Sequence, residues 1–240
     1  MVFDSLIYKY TYGMLTTFII MLVIILFYTM SGYGYFRVNE IIVSGNNVVS
    51  RDEILKRTGL IVGESSTFFL NKSLEQELIK NSWVRNAKVD KFLPNYVQID
   101  LDEEKIYCLL KDQKGKLKYI NQNGKTLGDA NIKFGLDFPV IIRESNIKED
   151  NWLSALELLK ISKTDSELSF NDISEVYYSP VSGITVVTTQ GTIIYFGKGY
   201  ELGERWNSLR DILLYSKYSN FKQQYIDLSF DEKVVIKYDL

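Results

Sequence analysis

Histidine is absent from the 240 residues, and cysteine occurs once, at Cys108. The first absence removes the commonest general base and metal ligand, so Ser-His-Asp hydrolysis, Cys-His proteolysis and His-ligated zinc chemistry are excluded. The second excludes an intrachain disulfide framework and any multi-cysteine zinc or iron–sulfur site. Proline is scarce, at 3 positions, and there is no basic excess, with 28 Lys plus Arg against 30 Asp plus Glu and a formal net charge of −2. That balance argues against a nucleic-acid partner, which calls for cations to neutralise phosphates. With 46% apolar and 24% charged residues the composition is far from that of a disordered chain, and the length allows one or two domains. Carboxylate or lysine catalysis stays open.

One long apolar run stands near the start. Tyr10 through Phe36 carries no charged residue, and Met14 to Met30 is apolar apart from three threonines and a tyrosine. As a helix rising ~1.5 Å per residue it crosses a hydrocarbon core of about 30 Å. The expected membrane-spanning helix covers 13–35, after a tail of 1–12 whose side of the membrane the residues alone leave open; N-inside, the cytoplasmic placement, is allowed. Tyr8, Tyr10 and Tyr12 before it, and Tyr28, Tyr33, Tyr35 and Phe36 at or after its end, match aromatic belts at two interfaces. A cleaved signal peptide is the competing reading. Against it stand a run longer than the about 7 to 15 residues of a usual signal core and the lack of an Ala-x-Ala site. Lys9, Asp4, Arg37 and Arg51 leave the positive-inside rule nearly silent on orientation.

From 36 to 104 the pattern is strand, helix, helix, strand, strand. Phe36 to Val43 reads as a strand, followed by the turn Ser44-Gly45-Asn46-Asn47. Ser50 and Glu53 form a capping box for a helix carrying Ile54 and Leu55 and ending at Gly59. Ser73 with Gln76 repeats that chemistry, ahead of a stripe of Leu70, Leu74 and Leu78. Trp83 to Lys91 is expected to bury its odd-numbered face as a strand, Leu93-Pro94-Asn95 turns, and Val97, Ile99 and Leu101 alternate with polar residues on the return.

From 105 to 240 hairpins dominate. Asn123-Gly124 joins Lys116–Asn121 to Lys125–Leu127, and Gln190-Gly191 joins Ile184–Val187 to Thr192–Phe196. Phe138 to Ile142 is extended, and Ile173 to Tyr178 is a strand. Helices are expected from about Asn151 to Ile161, with Trp152, Leu156 and Leu159 inward, and from about Leu202 to Ser216, with Leu202, Trp206, Leu209 and Leu213 inward. The chain closes with Tyr225 to Phe230, a turn at Asp231-Glu232, and Lys233 to Tyr238. The fold class is α+β.

Possible chemical signals have plainer readings. Gly197-Lys198-Gly199 before a helix mimics a phosphate loop, but after an antiparallel hairpin it reads as a connection. Asp100, Asp102, Glu103 and Glu104 could hold a metal or act as a carboxylate pair; parity puts Asp100 and Asp102 on one solvated face. Cys108 is a small core residue in an apolar strand. The last strand stands apart, because Val234, Val235 and Ile236 lie between Lys233 and Lys237. It is either a closing strand whose outer side meets water or an edge to which a partner strand adds.

The residues Val43, Gly45, Asn46, Ser50, Glu53, Ile54, Gly59, Trp83, Val84, Ala87, Val89, Pro94, Val97, Ile99, Glu103 and Glu104 together resemble a POTRA domain, and more narrowly that of the FtsQ/DivIB family of bacterial division proteins. Ser82 stands where the family often has proline. The second half resembles the same family through Gly191 with Phe196-Gly197, Glu204-Arg205 and Ile226 to Phe230, although Ser229 and Phe230 replace the usual Arg and Tyr. The resemblance implies a non-enzymatic, cofactor-free division scaffold in the inner membrane at the septum, with a POTRA domain over 36–104 and a β domain over 105–240 outside the cytoplasm. It implies FtsB and FtsL as partners, bound by strand addition at Ser229, Phe230, Lys233, Val234, Val235, Ile236, Lys237 and Tyr238, and contacts of the POTRA domain with other division proteins. A POTRA-type chaperone for secreted chains and a membrane-anchored carboxylate enzyme are the alternatives.

Overall fold

The computed structural model describes residues 2–32, 37–64, 71–92, 95–112, 114–144, 152–198, 201–219, 223–230 and 233–238. Expectations on Tyr33, Tyr35, Phe36, Leu70, Pro94, Asn151, Gly199 and Asp231-Glu232 lie outside these residues, as do the side chains of Tyr8 and Tyr10. The architecture is α+β: one apolar helix and two compact units, which divide between Glu103 and Glu104.

Helix α1 runs Val2–Gly32, and its stretch Thr11–Thr29, with mean hydropathy 2.1, is the one described helix long and apolar enough to cross a membrane. Three of its threonines bond within the helix: the hydroxyls of Thr16 and Thr17 donate to the Gly13 carbonyl, and that of Thr29 donates to the Leu26 carbonyl at 2.9 Å, which spares these groups a partner in lipid.

The first compact unit contains β1 (Glu40–Ser44), α2 (Arg51–Thr58), α3 (Asn71–Ile79), β2 (Val84–Phe92) and β3 (Tyr96–Glu103). The sheet order is β1-β3-β2, with β1 parallel and β2 antiparallel to β3. Ser50 caps α2 by accepting from the Glu53 amide, and Gly59 closes it in the left-handed region at φ 65°. Only half of the expected box forms, because the Glu53 carboxylate takes Arg57 and Asn81 instead. Ser73 is not a cap: α3 begins at Asn71, which puts Ser73 inside its first turn. The expected face of β2 is also corrected. A bulge between Val84 and Asn86 turns Val84 inward with Ala87 and Val89 and leaves Arg85 exposed. These residues pack with Ile41, Ile54, Leu74, Leu78, Val97 and Ile99 into one core.

The second unit is a nine-stranded sheet in the order β12-β11-β10-β9-β8-β7-β4-β5-β6. The strands are β4 (Cys108–Lys111), β5 (Leu117–Ile120), β6 (Thr126–Asp129), β7 (Val140–Arg143), β8 (Ile173–Ser179), β9 (Gly183–Thr188), β10 (Ile193–Gly197), β11 (Gln223–Asp227) and β12 (Val235–Tyr238). Helix α4 (Leu153–Ser162) precedes β8, and α5 (Leu202–Ser219) lies between β10 and β11. The sheet is mixed, with antiparallel hairpins and parallel pairs β4/β7, β7/β8 and β10/β11. Parallel neighbours need a crossover, and α4 and α5 occupy two of the connections. Both helices bury the expected faces: Trp152, Leu156 and Leu159 on α4 and its cap, and Trp206 and Leu209 on α5, join Ile141, Val176, Val186, Ile194, Phe196 and Ile226 in one core.

Candidate partner-binding edge

Strand β12 reaches the rim of the sheet through a chain of local causes. Gly197 ends β10 at φ 71°, a conformation that favours glycine, and a Cβ there would stand 2.6 Å from Ser229 Cβ. The Arg205 guanidinium, in the first turn of α5, donates from Nη1 to the carbonyls of Phe196 and Lys198. Helix α5 then carries the chain to β11, which pairs parallel to β10 through Ile193↔Tyr225, Ile194↔Ile226 and Tyr195↔Asp227. The Leu228 amide donates to the Tyr195 carbonyl at 2.8 Å, and the Ser229 amide donates to the Asp227 carboxylate at 2.9 Å, so the chain leaves β11 in a fixed direction. Strand β12 pairs antiparallel with β11, with Asp227↔Val235, Ile226↔Ile236 and Tyr225↔Lys237 in register.

Among the described residues β11 is the only strand paired with β12, whose other side is a sheet edge. Ile236 leans on the core, whereas Val235 is 50% exposed and Lys233 and Lys237 are exposed. Phe230, at 56% exposure, and Val234, at 39%, stand beside a groove of about 300 Å³ lined by Glu201, Glu204, Arg205, Ser208, Leu228, Phe230, Lys233 and Val234. The structure thus brings Phe230, Lys233 and Val234 together at the groove. Val235, Ile236, Lys237 and Tyr238 form the strand itself, and Ser229 sits against Gly197 in the connection. Lys233 and Val234 precede the strand, and β11 ends at Asp227, three residues short of the expected Phe230. Nearby, burial and then the Asp227 carboxylate push the Tyr225 phenol up, and its hydroxyl donates to Asp227 at 3.2 Å.

Sequence reasoning missed the α5 contribution. Glu201, Glu204, Arg205 and Ser208 read as the polar side of a helix, and only the β10-α5-β11 crossover sets them opposite Phe230. The one local signal was the Glu204-Arg205 pair at the helix start. The crossover also corrects the reading of Gly197-Lys198-Gly199. A parallel βαβ unit does surround it, but Arg205 and Ser229 fill the space over Gly197.

The acidic run does not form a cluster. Asp100 accepts from Gln98 at 3.0 Å and from Ser44, bonds that hold its carboxyl below the ordinary range. Asp102 faces Arg85 at 3.6 Å. Glu103 accepts the backbone amides of Asn47, Val48 and Val49, and Glu104 accepts from Asn121 and pairs with Lys125. Among the described residues no group of three or more acids, histidines or cysteines is placed to hold a metal. Cys108 is fully buried, and burial pushes its thiol up to about 12.

Two family models cover most of the chain. One, described as POTRA domain, FtsQ-type, matches residues 36–104, and the other, described as Cell division protein FtsQ/DivIB, C-terminal, matches 108–229. The chain belongs to the FtsQ/DivIB family of cell division proteins. Among curated relatives of this family it is similar to cell division protein FtsQ of Geotalea daltonii, 26% identical over 217 residues that cover 87% of this chain and 78% of the relative. Cell division protein DivIB of Staphylococcus aureus (strain NCTC 8325 / PS 47) is 31% identical over 160 residues, or 65% of this chain and 35% of that protein. Cell division protein DivIB of Bacillus subtilis (strain 168) is 29% identical over 150 residues, covering 60% and 53%. The second family match stops at Ser229, so β12 lies outside it.

Proposed function

We propose that this division protein is a non-enzymatic scaffold that holds an FtsB-type partner, and through it an FtsL-type partner, on the outer edge of β12. The observation that carries the reading is that edge: a short strand at the rim of a nine-stranded sheet, with Val235 exposed, lysines on either side, and a groove beside it. An added strand takes its hydrogen bonds from the backbone edge and its selectivity from alternate side chains. Lys233 and Lys237 discourage indiscriminate pairing, which gives a designated partner the advantage.

In this reading α1 is the membrane anchor, the residues before it are cytoplasmic, and the POTRA unit (36–104) and the β unit (105–240) stand outside the cytoplasm at the septum. The POTRA unit offers a second surface to other division proteins.

The test is a titration of the full chain in detergent micelles with the FtsB homologue of the same organism, comparing the wild type with Val235→Pro. Proline removes a backbone donor and distorts the edge. Circular dichroism and the thermal midpoint establish that the variant is folded. Loss of binding in the folded variant is expected, and affinity retained within twofold or so would sink strand addition at β12.

A further inference from the structure

Two apolar side chains stand out of the first compact unit on the turn after α2. Ile61 is 57% and Val62 is 56% exposed, while Leu60 before them is buried. Isolated exposed apolar residues are ordinary; the position of this pair is what gives it meaning. The turn is clasped to the residue at which the chain enters the unit, since the Gly63 amide donates to the Val38 carbonyl at 2.7 Å and the Val38 amide donates to the Glu64 carbonyl at 2.8 Å. Val38 is itself 1% exposed, so the clasp belongs to the folded core.

The same entry point is tied to the apolar helix by very little chain. Helix α1 ends at Gly32. The five peptide steps to Arg37 span at most about 18 Å even when fully extended. Interfacial and headgroup layers add about 5 to 8 Å on each side of the hydrocarbon core. A unit on so short a tether keeps its entry residue, and whatever is clasped to that residue, close to the membrane surface. Arg37, exposed beside the clasp, is the kind of side chain that snorkels to lipid phosphates.

We propose that the Ile61-Val62 turn is a membrane-contact element, seated at the boundary of headgroups and acyl chains in the bilayer that α1 crosses. The inference rests on α1 being a membrane span. Val38 acts as the pivot: its two hydrogen bonds fix the turn beside the point where the chain enters the unit, and burial of the apolar pair in the interface holds the unit against the lipid.

The test uses the full chain in nanodiscs of phosphatidylcholine and phosphatidylglycerol, with and without doxyl-labelled lipid as quencher. Cys108 is fully buried, so a newly introduced surface thiol is labelled selectively in the folded protein. Three variants carry the fluorophore: Ile61→Cys on the turn, Val23→Cys within α1, and Asn86→Cys, which pairs with Asp102 at the end of the sheet away from the Glu40↔Tyr96 pair. Quenching is expected to be strong at 23 and several-fold stronger at 61 than at 86. Quenching at 23 with equal, weak signals at 61 and 86 overturns the contact element and leaves the anchor standing. Failure at 23 overturns the anchor, and the inference with it.

Discussion

The indole Nε1 of Trp206 donates to the Asp165 carboxylate at 2.8 Å. The bond joins α5, whose crossover delivers the chain to β11, to the loop that follows α4. Asp165 also accepts the amides of Glu167 and Leu168, at 2.8 and 3.1 Å. Burial works to raise the Asp165 carboxyl, but the Trp206 bond and the two amides outweigh it and hold the group below the ordinary carboxylate range.

This depression predicts acid sensitivity. A carboxyl lowered in the folded state contributes stability that is complete above its unfolded value near ~3.9, and that contribution is lost as pH falls through the lower folded value. Asp165→Asn should destabilise at neutral pH and flatten the thermal midpoint between about pH 5 and 2 relative to wild type. In a double-mutant cycle with Trp206→Phe, the coupling should be about 1.5 kcal/mol or more, as for hydrogen bonds to charged groups. Additive losses would show that the bond holds nothing.

Two glycines separate backbone strain from steric conflict. Gly191 and Gly197 both sit at positive φ, but a Cβ at Gly191 meets open space whereas one at Gly197 meets Ser229. Gly191→Ala should cost about 1 kcal/mol in urea unfolding, the scale of left-handed strain alone. Gly197→Ala should cost clearly more and also weaken partner binding, because the displaced residue is the one leading toward β12. Equal costs would mean that the Ser229 contact yields freely.

Glu103 pins the loop between β1 and α2 by three backbone amides. Glu103→Ala strands those donors, at a cost of about 2 kcal/mol. Hydrogen exchange should accelerate over residues 45–50 and remain unchanged in the second compact unit. Unaltered exchange there would assign the loop's order to Gly45 and its close approach to the Leu101 carbonyl instead.

Cys108, buried and with its thiol raised to about 12, should resist maleimide at pH 8 in the native chain and react fully in denaturant. The labelling rate at intermediate urea then reports opening of the second unit's core. Rapid native labelling would place the thiol at a surface.

Much of this fold was legible because its signals are local. Ser50 and Gly59 bracket α2 through bonds to residues three or four positions away, and the inward faces of α4 and α5 follow from helical spacing alone. What could not be read depended on partners distant in sequence. Nothing within Ile193–Gly197 announces that its second neighbour is the parallel strand at Gln223–Asp227, so neither the crossover nor the groove facing Phe230 was visible. The bulge at Val84 shifts a face by one residue without any glycine to mark it. The carboxylates of 100–104 looked like a patch in one dimension, and the fold gives each its own partner.

From β8 to β12 the order of strands across the sheet is the order of strands along the chain. That half of the sheet is therefore laid like courses of brick, each strand seated on the one synthesised before it. A chain shortened by its final course would still have a rim, moved inward to Gln223–Asp227, where Tyr225 and Asp227 stand in place of Lys237 and Val235. The lysines at β12 thus arrive only after β8 to β11, and until they do this half of the growing sheet ends on an edge without them.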